Sequence, residues 1–296
     1  MAALIPAPCS QMRWTVGRVT ITNIVEIAAT GGARFILPQA TAEETLKMPW
    51  LAPHYATPEG RLKLNVQSWI VQTPTQTIII DTCIGNGKQD RSVPAWNGLD
   101  TPFLHDLAAA GYPVDALDTV LCTHLHVDHV GWNTNLVHGQ WVPTFPNARY
   151  VFGKAEYDYW AAHSVKGEHK AVFEDSVQPI VALGLADLVA SDHRLSDEIS
   201  MIPTPGHSPG HMSVFVQSDG EEALLTGDVA HHPCQMAHLD WSSTADYDPV
   251  QSIEARKQLF SRFANTPTLV FGGHFDPGHI VRDGEAFKLI PQTNLT

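Results

Sequence analysis

Four side chains that can bind metal ions lie within six residues of one another in the stretch THLHVDHVGW. They are His124, His126, Asp128 and His129, and they directly follow a short apolar run. In an extended segment, residues two apart point the same way, so His124 and His126 can bind one ion together. Asp128 and His129 are adjacent, which requires a turn, and they can face a second ion. Because a buried imidazole without a partner is costly, this density of ligand-type residues predicts a metal site.

Three further candidate ligands lie in glycine-containing turns that follow apolar runs. They are His207 in TPGHSPGH, Asp228 in LLTGDVAHH and His274 in LVFGGHFDPGH. Taken singly, each is more often a turn residue than a ligand, so the prediction rests on their combination with the cluster. Neutral imidazole and carboxylate groups suit zinc, iron or manganese.

Composition limits the classes of partner. The chain has 296 residues and a formal net charge of −13, which argues against nucleic acid and against an anionic membrane surface, since both attract basic proteins. No apolar run reaches the length of a membrane span, and the start of the chain lacks the regions of a signal peptide. We therefore expect a cytoplasmic protein, with reduced cysteines because no CxxC pair is present. The cysteines are Cys9, Cys83, Cys122 and Cys234.

Short apolar runs separated by turn residues predict strands, with helices between some of them. The predicted strands span residues 16–28, 64–73, 77–81, 119–122, 149–152, 199–203, 212–217, 223–226 and 268–271. One predicted helix is capped by Asp100 and ends at Gly111, and two others span residues 154–163 and 249–264. Paired strands with interspersed helices predict an α/β or α+β fold with two sheets, in a single domain over residues 1–296.

Residues 29–63 are weakly periodic and interrupted by prolines. The segment carries apolar residues that read as exposed, namely Phe35, Met48, Trp50, Leu51 and Tyr55. Long irregular segments inside compact chains are often lids or binding loops. We therefore expect a lid or a dimer contact here, with a surface segment docked on the body of the protein as the alternative.

The order of ligands, H-x-H-x-D-H followed by a His, an Asp and a final His, resembles the metallo-β-lactamase superfamily over residues 78–274. The resemblance implies a four-layer αββα sandwich. It also implies two divalent metal ions, with zinc expected and iron, manganese or cobalt as alternatives. The ligands implied for the first ion are His124, His126 and His207, those for the second are Asp128, His129 and His274, and Asp228 bridges the two. Asp81 is implied to support the metal loop from behind.

The chemistry follows from the implied metals. Two ions that share a water molecule lower its pKa toward neutrality, and the resulting hydroxide attacks a carbonyl carbon or a phosphorus. Asp228 is placed to move the proton between nucleophile and leaving group. No G-x-S-x-G motif is present to propose a serine nucleophile.

The segment TPGHSPGHMSVF, Asp228 and residues 29–63 resemble two branches, the N-acyl-homoserine lactonases and the methyl parathion hydrolases. The lactonases carry a Tyr three residues after the bridging Asp, whereas this chain has His231 there, which is more like the parathion hydrolases. We predict a hydrolase of carboxylic esters or lactones, with phosphotriester hydrolysis as the alternative. An iron-dependent redox enzyme and a non-catalytic metal-binding module are further alternatives. His231 either donates a hydrogen bond to a substrate oxygen or supports packing.

Substrate contacts are predicted less directly. No Arg or Lys lies beside the ligands in sequence, which favours a small neutral or apolar-tailed ester or lactone. Trp132 and Phe275 either line an apolar pocket or pack in the core. His211 is expected to orient the metal loop from behind, while His232 and His279 are expected to have no role in the site. The resemblance implies a homodimer.

Overall fold

The computed structural model describes residues 12–292, so the prediction for Cys9 lies outside the described residues. The described chain divides into two compact units. The first unit contains residues 12–26 and 66–191, and the second unit contains residues 27–65 and 192–292.

Both units contain strands and helices, and several strands follow one another without an α-helix between them. The strands are β1 Arg13–Val16, β2 Val19–Thr30, β3 Lys63–Gln72, β4 Thr77–Ile80, β5 Thr119–Leu121, β6 Thr134–Val137, β7 Gln140–Pro143, β8 Arg149–Gly153, β9 Ala186–Val189, β10 Ile199–Pro203, β11 Met212–Ser218, β12 Glu221–Leu225, β13 Leu269–Phe271, β14 Gly278–Asp283 and β15 Ala286–Pro291. The α-helices are α1 Ala42–Leu46, α2 Phe103–Ala109, α3 Lys154–His163, α4 Gly167–Val172, α5 Gln178–Ala182, α6 Cys234–Ala237 and α7 Pro249–Phe263.

Shorter helical turns connect these elements. A π-helix at Phe173–Val177 joins α4 to α5. The 3₁₀ turns are Ala33–Phe35, Pro49–Leu51, Pro94–Trp96, Val114–Ala116, Gly131–Asn133 and Gly227–Val229. Within residues 12–292, no helix has the length and apolar character needed to cross a membrane.

The first unit is built on a seven-stranded sheet in the order β1-β2-β3-β4-β5-β8-β9. The pairs β4–β5, β5–β8 and β8–β9 are parallel. The inner strands β4 and β5 are continuous buried runs, TIII and TVL, as expected of parallel strands covered on both faces. Because parallel strands end at the same edge, Asp81 after β4 and His124 after β5 lie at one edge of this sheet.

The second unit is built on a six-stranded sheet in the order β10-β11-β12-β13-β14-β15. Its one parallel pair within the described chain is β12–β13, in which Leu225 pairs with Phe271. Asp228 follows Leu225 by three positions, and His274 follows Phe271 by three positions. The register of these two strands therefore brings the two side chains to the same edge.

Residues 29–63 contribute directly to the core of the second unit. Met48, Leu51 and Tyr55 are at most 5% exposed and belong to one hydrophobic cluster with Phe260. Their predicted exposure is therefore wrong, because weak periodicity in an irregular segment does not show which side chains pack against the sheet and its helices. Phe35 is 59% exposed, as predicted.

Two predicted boundaries also differ from the structure. Residues 16–28 were expected to form one strand, but a turn at Gly17, with φ of 57°, separates β1 from β2. Asp100 does not cap α2, whose N-cap position is Pro102. By contrast, α3 has its predicted bounds, and Asp248 caps α7 by accepting hydrogen bonds from the first turn.

Candidate metal centre

The cluster after β5 forms a compact group of imidazoles in the first unit. The ring centroid of His124 lies 4.6 Å from that of His126 and 4.1 Å from that of His129. Oδ1 of Asp128 lies 3.7 Å from Nε2 of His129. His124 and His129 are buried, while His126 and Asp128 are half-buried. The four side chains of the H-x-H-x-D-H pattern are therefore neighbours in space.

Hydrogen bonds determine which ring nitrogen carries the proton in two of these histidines. Nδ1 of His129 lies 2.9 Å from Oδ2 of Asp81, and a carboxylate accepts. The hydroxyl of Thr123 donates to the same Oδ2 at 2.8 Å, so its oxygen accepts from Nδ1 of His124 at 3.1 Å. Both rings carry the proton on Nδ1 and present the electron pair of Nε2, which is the orientation of metal-ligating histidines.

The loop that begins at Asp81 packs against the end of the cluster. Asp81 and Cys83 both have positive φ, 56° and 50°, a conformation that non-glycine residues adopt rarely. The amide of Gly131 donates to the carbonyl of Cys83 at 2.7 Å. A Cβ at Gly131 would lie 1.8 Å from the carbonyl oxygen of Ile84. The close approach of the two loops therefore requires glycine at position 131.

Glu26 binds both of these loops from the interior of the first unit. Its carboxylate accepts hydrogen bonds from the amide of Ile84 at 2.8 Å, the indole of Trp132 at 2.7 Å and the hydroxyl of Thr101 at 3.1 Å. Burial raises the pKa of Glu26, while these hydrogen bonds act to lower it. Trp132 also stacks on Phe103 at 5.6 Å. Trp132 therefore packs in the core of the first unit.

Glu156 orients the backbone within the cluster. Its Oε1 accepts from the amide of Leu125, between the first two histidines, at 3.1 Å and from the indole of Trp160 at 2.6 Å. The Trp160 ring lies 5.5 Å from the ring of His126, and the ring of the exposed His169 lies 4.5 Å from Trp160 and 6.5 Å from His126. One buried carboxylate thus positions both the histidine loop and an aromatic neighbour.

In the second unit, three imidazoles converge on one carboxylate oxygen. Oδ2 of Asp228 lies 3.1 Å from Nε2 of His274, 3.3 Å from Nε2 of His231 and 3.5 Å from Nε2 of His207. All four side chains are buried. The candidate ligand atoms of His207, Asp228 and His231 lie within 4.8 Å of one another. The structure therefore groups the three ligands predicted in this unit and adds His231 to them.

The chemistry of this group fits a bound cation. Nδ1 of His274 lies 2.7 Å from the carbonyl oxygen of Asn65, and Nδ1 of His207 lies 2.9 Å from Oδ1 of Asp246. A carbonyl oxygen only accepts, so His274 carries its proton on Nδ1. In the neutral ring, the electron pair of Nε2 then faces Oδ2 of Asp228. Nε2 of His274 and Oδ2 of Asp228 are then two acceptors 3.1 Å apart, which repel one another unless a proton or a metal ion lies between them. Neutral imidazoles together with a carboxylate are ligands that suit a divalent metal ion.

His211 holds the backbone at Asp228. Its Nε2 accepts from the amide of Asp228 at 2.9 Å, and its Nδ1 lies 2.8 Å from the hydroxyl of Thr204. Both ring nitrogens are therefore engaged away from the ligand group. A Cβ at Gly273 would lie 2.5 Å from Oδ1 of Asp228, so the glycine before His274 leaves room for this carboxylate.

His231 differs from the other two imidazoles around Asp228. Its ring stacks on His274 with centroids 5.7 Å apart, and its amide donates to Oε1 of Gln235 at 2.7 Å. Burial lowers the pKa of His231 to about 3, although Asp228 acts to raise it. The ring is therefore neutral at pH 7. Among the described residues, its Nδ1 has no hydrogen-bond partner, whereas Nδ1 of His207 and of His274 each has one.

Two other histidines hold backbone groups elsewhere in the second unit. Nε2 of His232 donates to the carbonyl oxygen of Tyr55 at 2.8 Å, and its Nδ1 accepts from the amide of Cys234 at 3.1 Å. Nδ1 of His279 donates to the carbonyl oxygen of Thr268 at 3.1 Å. His232 therefore fixes the segment that contains Tyr55.

Sequence reasoning named Asp81 and His211 as supports, and they contact His129 and the amide of Asp228, but it missed the other residues that orient the ligands. Asp246 lies 39 positions from His207, and Asn65 lies 209 positions from His274. Glu26 and Glu156 stand outside every ligand motif. Gln235 is the one of these supporting residues that a local signal could have found. It lies four positions after His231, a spacing that is typical of contacts within a turn.

A sequence profile of the Metallo-beta-lactamase superfamily matches residues 62–274. The chain belongs to the metallo-β-lactamase superfamily. The predicted metal-dependent hydrolase is confirmed at the level of this superfamily.

Similar proteins agree with this membership. An N-acyl homoserine lactonase of Bacillus thuringiensis is 24% identical over 231 residues, which cover 74% of this chain and 84% of the relative. The solved structure of AbOPH, a hydrolase of the beta lactamase superfamily, matches with a TM-score of 0.78 at 22% identity. AidC, a dizinc quorum-quenching lactonase, matches with a TM-score of 0.78 at 18% identity. In both comparisons, the matched region covers 97% of this chain and 98% of the other chain. These matches confirm the predicted fold class.

Proposed function

We propose that this metallo-β-lactamase superfamily member hydrolyses carboxylic esters or lactones with two zinc ions. The residues that would hold the first ion are His124, His126 and His207, those for the second are Asp128, His129 and His274, and Asp228 would bridge. When bound, the ions would activate a water molecule and polarise a substrate oxygen. The observation that carries the proposal is the Nε2 electron pair of His274, which faces the carboxylate of Asp228 because Asn65 accepts the Nδ1 proton.

Asp228 is the group that we propose moves the proton. Its side chain is buried, and its backbone is held by His211. Oδ2 of Asp228 would take the proton released when water adds to the substrate carbonyl and would pass it to the leaving oxygen. A fixed carboxylate suits this role, because proton transfer requires close and constant distances.

His231 is the group that we propose contacts a substrate oxygen. Such a hydrogen bond requires the proton on Nε2, the ring nitrogen that lies 3.3 Å from Oδ2 of Asp228, because Nδ1 is buried. Because burial lowers its pKa to about 3, the ring would act as a neutral donor and not as a charged one. This role resembles that of other preorganised donors that stabilise developing negative charge.

The similar proteins favour the lactone branch of this proposal. The Bacillus thuringiensis relative is an N-acyl homoserine lactonase, and AidC is a quorum-quenching lactonase with a homoserine product bound. The alternative is a phosphotriester, which His231 favours because the lactonases carry Tyr at that position. A nucleophilic hydroxide can attack either a carbonyl carbon or a phosphorus atom, so activity on the two substrate classes has to be compared directly.

The test compares proton release by zinc-loaded protein on a long-chain acyl-homoserine lactone, an aryl carboxylic ester and a dialkyl aryl phosphotriester. We expect the highest kcat/KM on the lactone or the carboxylic ester. A dominant rate on the phosphotriester would replace the first proposal with the alternative. Full activity after complete removal of metal would reject both.

We further propose that the protein is a cytoplasmic homodimer, with residues 29–63 near the substrate or the dimer contact. Three cysteines of the described chain, Cys83, Cys122 and Cys234, are free and buried, which supports a reducing compartment. Light scattering at several protein concentrations tests the dimer, and a monomer at all of them would reject it.

A further inference from the structure

A four-residue turn at residues 243–246 holds the candidate ligand His207 in the second unit. The turn is closed by a hydrogen bond from the amide of Asp246 to the carbonyl oxygen of Ser243 at 3.2 Å. The side chain of Asp246 is fully buried, and its two carboxylate oxygens accept from Nδ1 of His207 and from the amide of Ser243. The amide of Tyr247 donates to the carbonyl oxygen of His207 at 3.0 Å. The turn is therefore attached to both the ring and the backbone of this ligand.

The same turn also binds an exposed part of the chain. Thr244, one of its two central residues, donates from its hydroxyl to the carbonyl oxygen of Phe35 at 2.6 Å. Its amide donates to the carbonyl oxygen of Ile36 at 2.9 Å. Both carbonyl oxygens lie at the end of the 3₁₀ turn Ala33–Phe35, where Ile36 is the C-cap. Thr244 therefore connects the turn that holds His207 to a segment that carries no proposed ligand.

Residues 33–37, the Phe35 segment, are packed into the core at both ends. Ala33 is 5% exposed and Leu37 is 0% exposed, and both belong to the hydrophobic cluster of the second unit. Between them, Phe35 is 59% exposed, so its ring gains little free energy from burial. The two hydrogen bonds from Thr244 therefore contribute substantially to fixing the exposed part of this segment.

We propose that Thr244 is a positioning residue that couples the Phe35 segment to metal binding at His207. With Nε2 of His207 bound to a metal ion, the ring would be fixed, and so would Asp246 and the turn that carries Thr244. The hydroxyl and amide of Thr244 would then be held in place for the carbonyl oxygens of the Phe35 segment. Because coupling between two sites is reciprocal, an ordered Phe35 segment in turn favours metal binding. This inference rests on the proposed function, since it takes His207 as a metal ligand.

The first test is the zinc affinity of the full chain in competition with a chelator. Thr244→Val removes the hydroxyl and keeps the shape of the side chain, while Thr30→Val makes the same change at another exposed threonine of the second unit. Since a hydrogen bond changes an equilibrium constant by about two- to tenfold, we expect Thr244→Val to weaken zinc binding within that range. Thr30→Val should leave the affinity unchanged, and Thr244→Ser, which keeps the hydroxyl, should retain it.

A second measurement follows the Phe35 segment itself, through cleavage by trypsin after the exposed Arg34. Proteolysis reports how often a segment opens, so zinc should slow this cleavage in the unmodified protein, in Thr30→Val and in Thr244→Ser. The effect of zinc should be smaller in Thr244→Val. The rate is taken relative to cleavage after Arg194, which is exposed in the same unit, so that overall stabilisation by zinc cancels.

Two results would overturn the coupling. One is equal zinc affinity in Thr244→Val and Thr30→Val, and the other is the same effect of zinc on cleavage after Arg34 in both variants. By contrast, protection of Arg34 by zinc in a protein that hydrolyses none of the three substrate classes would reject the hydrolase proposal and leave the coupling in place.

Discussion

For each histidine in the candidate metal centre, the partner of one ring nitrogen determines what the other can do. His129 and His274 donate through Nδ1 to Asp81 and to the Asn65 carbonyl oxygen, so Nε2 presents an electron pair. His211 uses both ring nitrogens to hold neighbouring groups. The same residue type therefore serves as a candidate ligand or as a support, according to its hydrogen-bond partners.

Asp246 is expected to control metal affinity through His207. Its Oδ1 accepts from Nδ1 of His207, and its Oδ2 accepts from the amide of Ser243 at 3.0 Å. Loss of such an acceptor typically weakens metal binding by about 10- to 100-fold, so we expect this decrease for Asp246→Ala in chelator competition. The exposed Asp240→Ala in the same unit is the matched control. Equal zinc affinity in the two variants would contradict the role.

His231 is expected to affect turnover without holding metal. Loss of one preorganised donor lowers kcat by about 10²- to 10³-fold, and we expect the lower end for His231→Ala. Bound zinc, measured by mass spectrometry, should remain at the value of the unmodified protein and of the control His193→Ala. Loss of one ion per chain in His231→Ala would show instead that His231 is a ligand, as its place beside His207 and Asp228 allows.

Secondary-structure elements position these side chains through a few buried charges. Arg256 on α7 donates to the carbonyl oxygens of Val229 at 2.8 Å and of Trp241 at 2.9 Å, and so anchors the loop that follows Asp228. In the first unit, Lys88 connects the loop after β4 to the π-helix. Its Nζ donates to Oγ of Ser176 at 3.1 Å and lies 3.4 Å from Oδ1 of Asp175. The loop after Asp228 and the loop that begins at Asp81 are thus fixed by helical segments that carry no proposed ligand.

The buried ammonium of Lys88 is expected to make stability depend on pH. Burial lowers the pKa of Lys88 to about 7, with Asp175 acting to raise it and Arg91 to lower it. The ordinary pKa of a lysine side chain, which applies to an unfolded chain, is 10.5. Between these values, the unfolded state binds the proton and the folded state does not, so the contribution of Lys88 to stability rises as pH rises from 7 to 10.5.

Lys88→Met removes this contribution and leaves Asp175 bound to Arg91 at 2.8 Å. One pKa unit corresponds to about 1.4 kcal/mol. Between pH 7 and pH 9, the free energy of unfolding of the unmodified protein should therefore rise by about 2–3 kcal/mol relative to the variant. Urea unfolding at the two pH values measures the difference. A parallel pH dependence in both proteins would show that Lys88 is charged at pH 9 in the fold.

Both units contribute proposed metal ligands, four from the first unit and three from the second. The chain also carries a net charge of −13, so a cation that binds the folded state reduces the excess of negative charge. Anything that binds only the folded state stabilises it, by about 4 kcal/mol when its concentration is a thousand times Kd.

Removal of metal is therefore expected to lower the thermal unfolding midpoint by roughly 10 °C. The measurement is differential scanning calorimetry of the zinc-loaded protein before and after a chelator, followed by added zinc, which should restore the midpoint. The same chelator saturated with calcium is the control for effects of the chelator itself. An unchanged midpoint after verified metal loss would contradict a stabilising metal centre.

The superfamily, the ligand residues proposed here and most strands could be predicted from the sequence. The signals were local, because the H-x-H-x-D-H cluster lies within one turn and Asp228 and His274 follow recognisable apolar strands. The elements that were not predicted are strands β6, β7, β9, β14 and β15, helices α1 and α6, and the helical segment 167–182. Strands β14 and β15 do alternate between buried and less buried residues, but an alternation over so few residues is a weak signal in the sequence alone.

Apart from Asp81, only the tertiary structure determined which partners orient the ligands. Glu26 reaches Ile84 across 58 positions, and His274 reaches Asn65 across 209. Such pairs depend on which strands become neighbours, and neither member carries a local pattern that points to the other. The burial of Met48 and Leu51 within an irregular segment has the same origin. Residue types and local spacing therefore predicted the chemistry of the site, while long-range packing decided the proton positions and the supporting contacts.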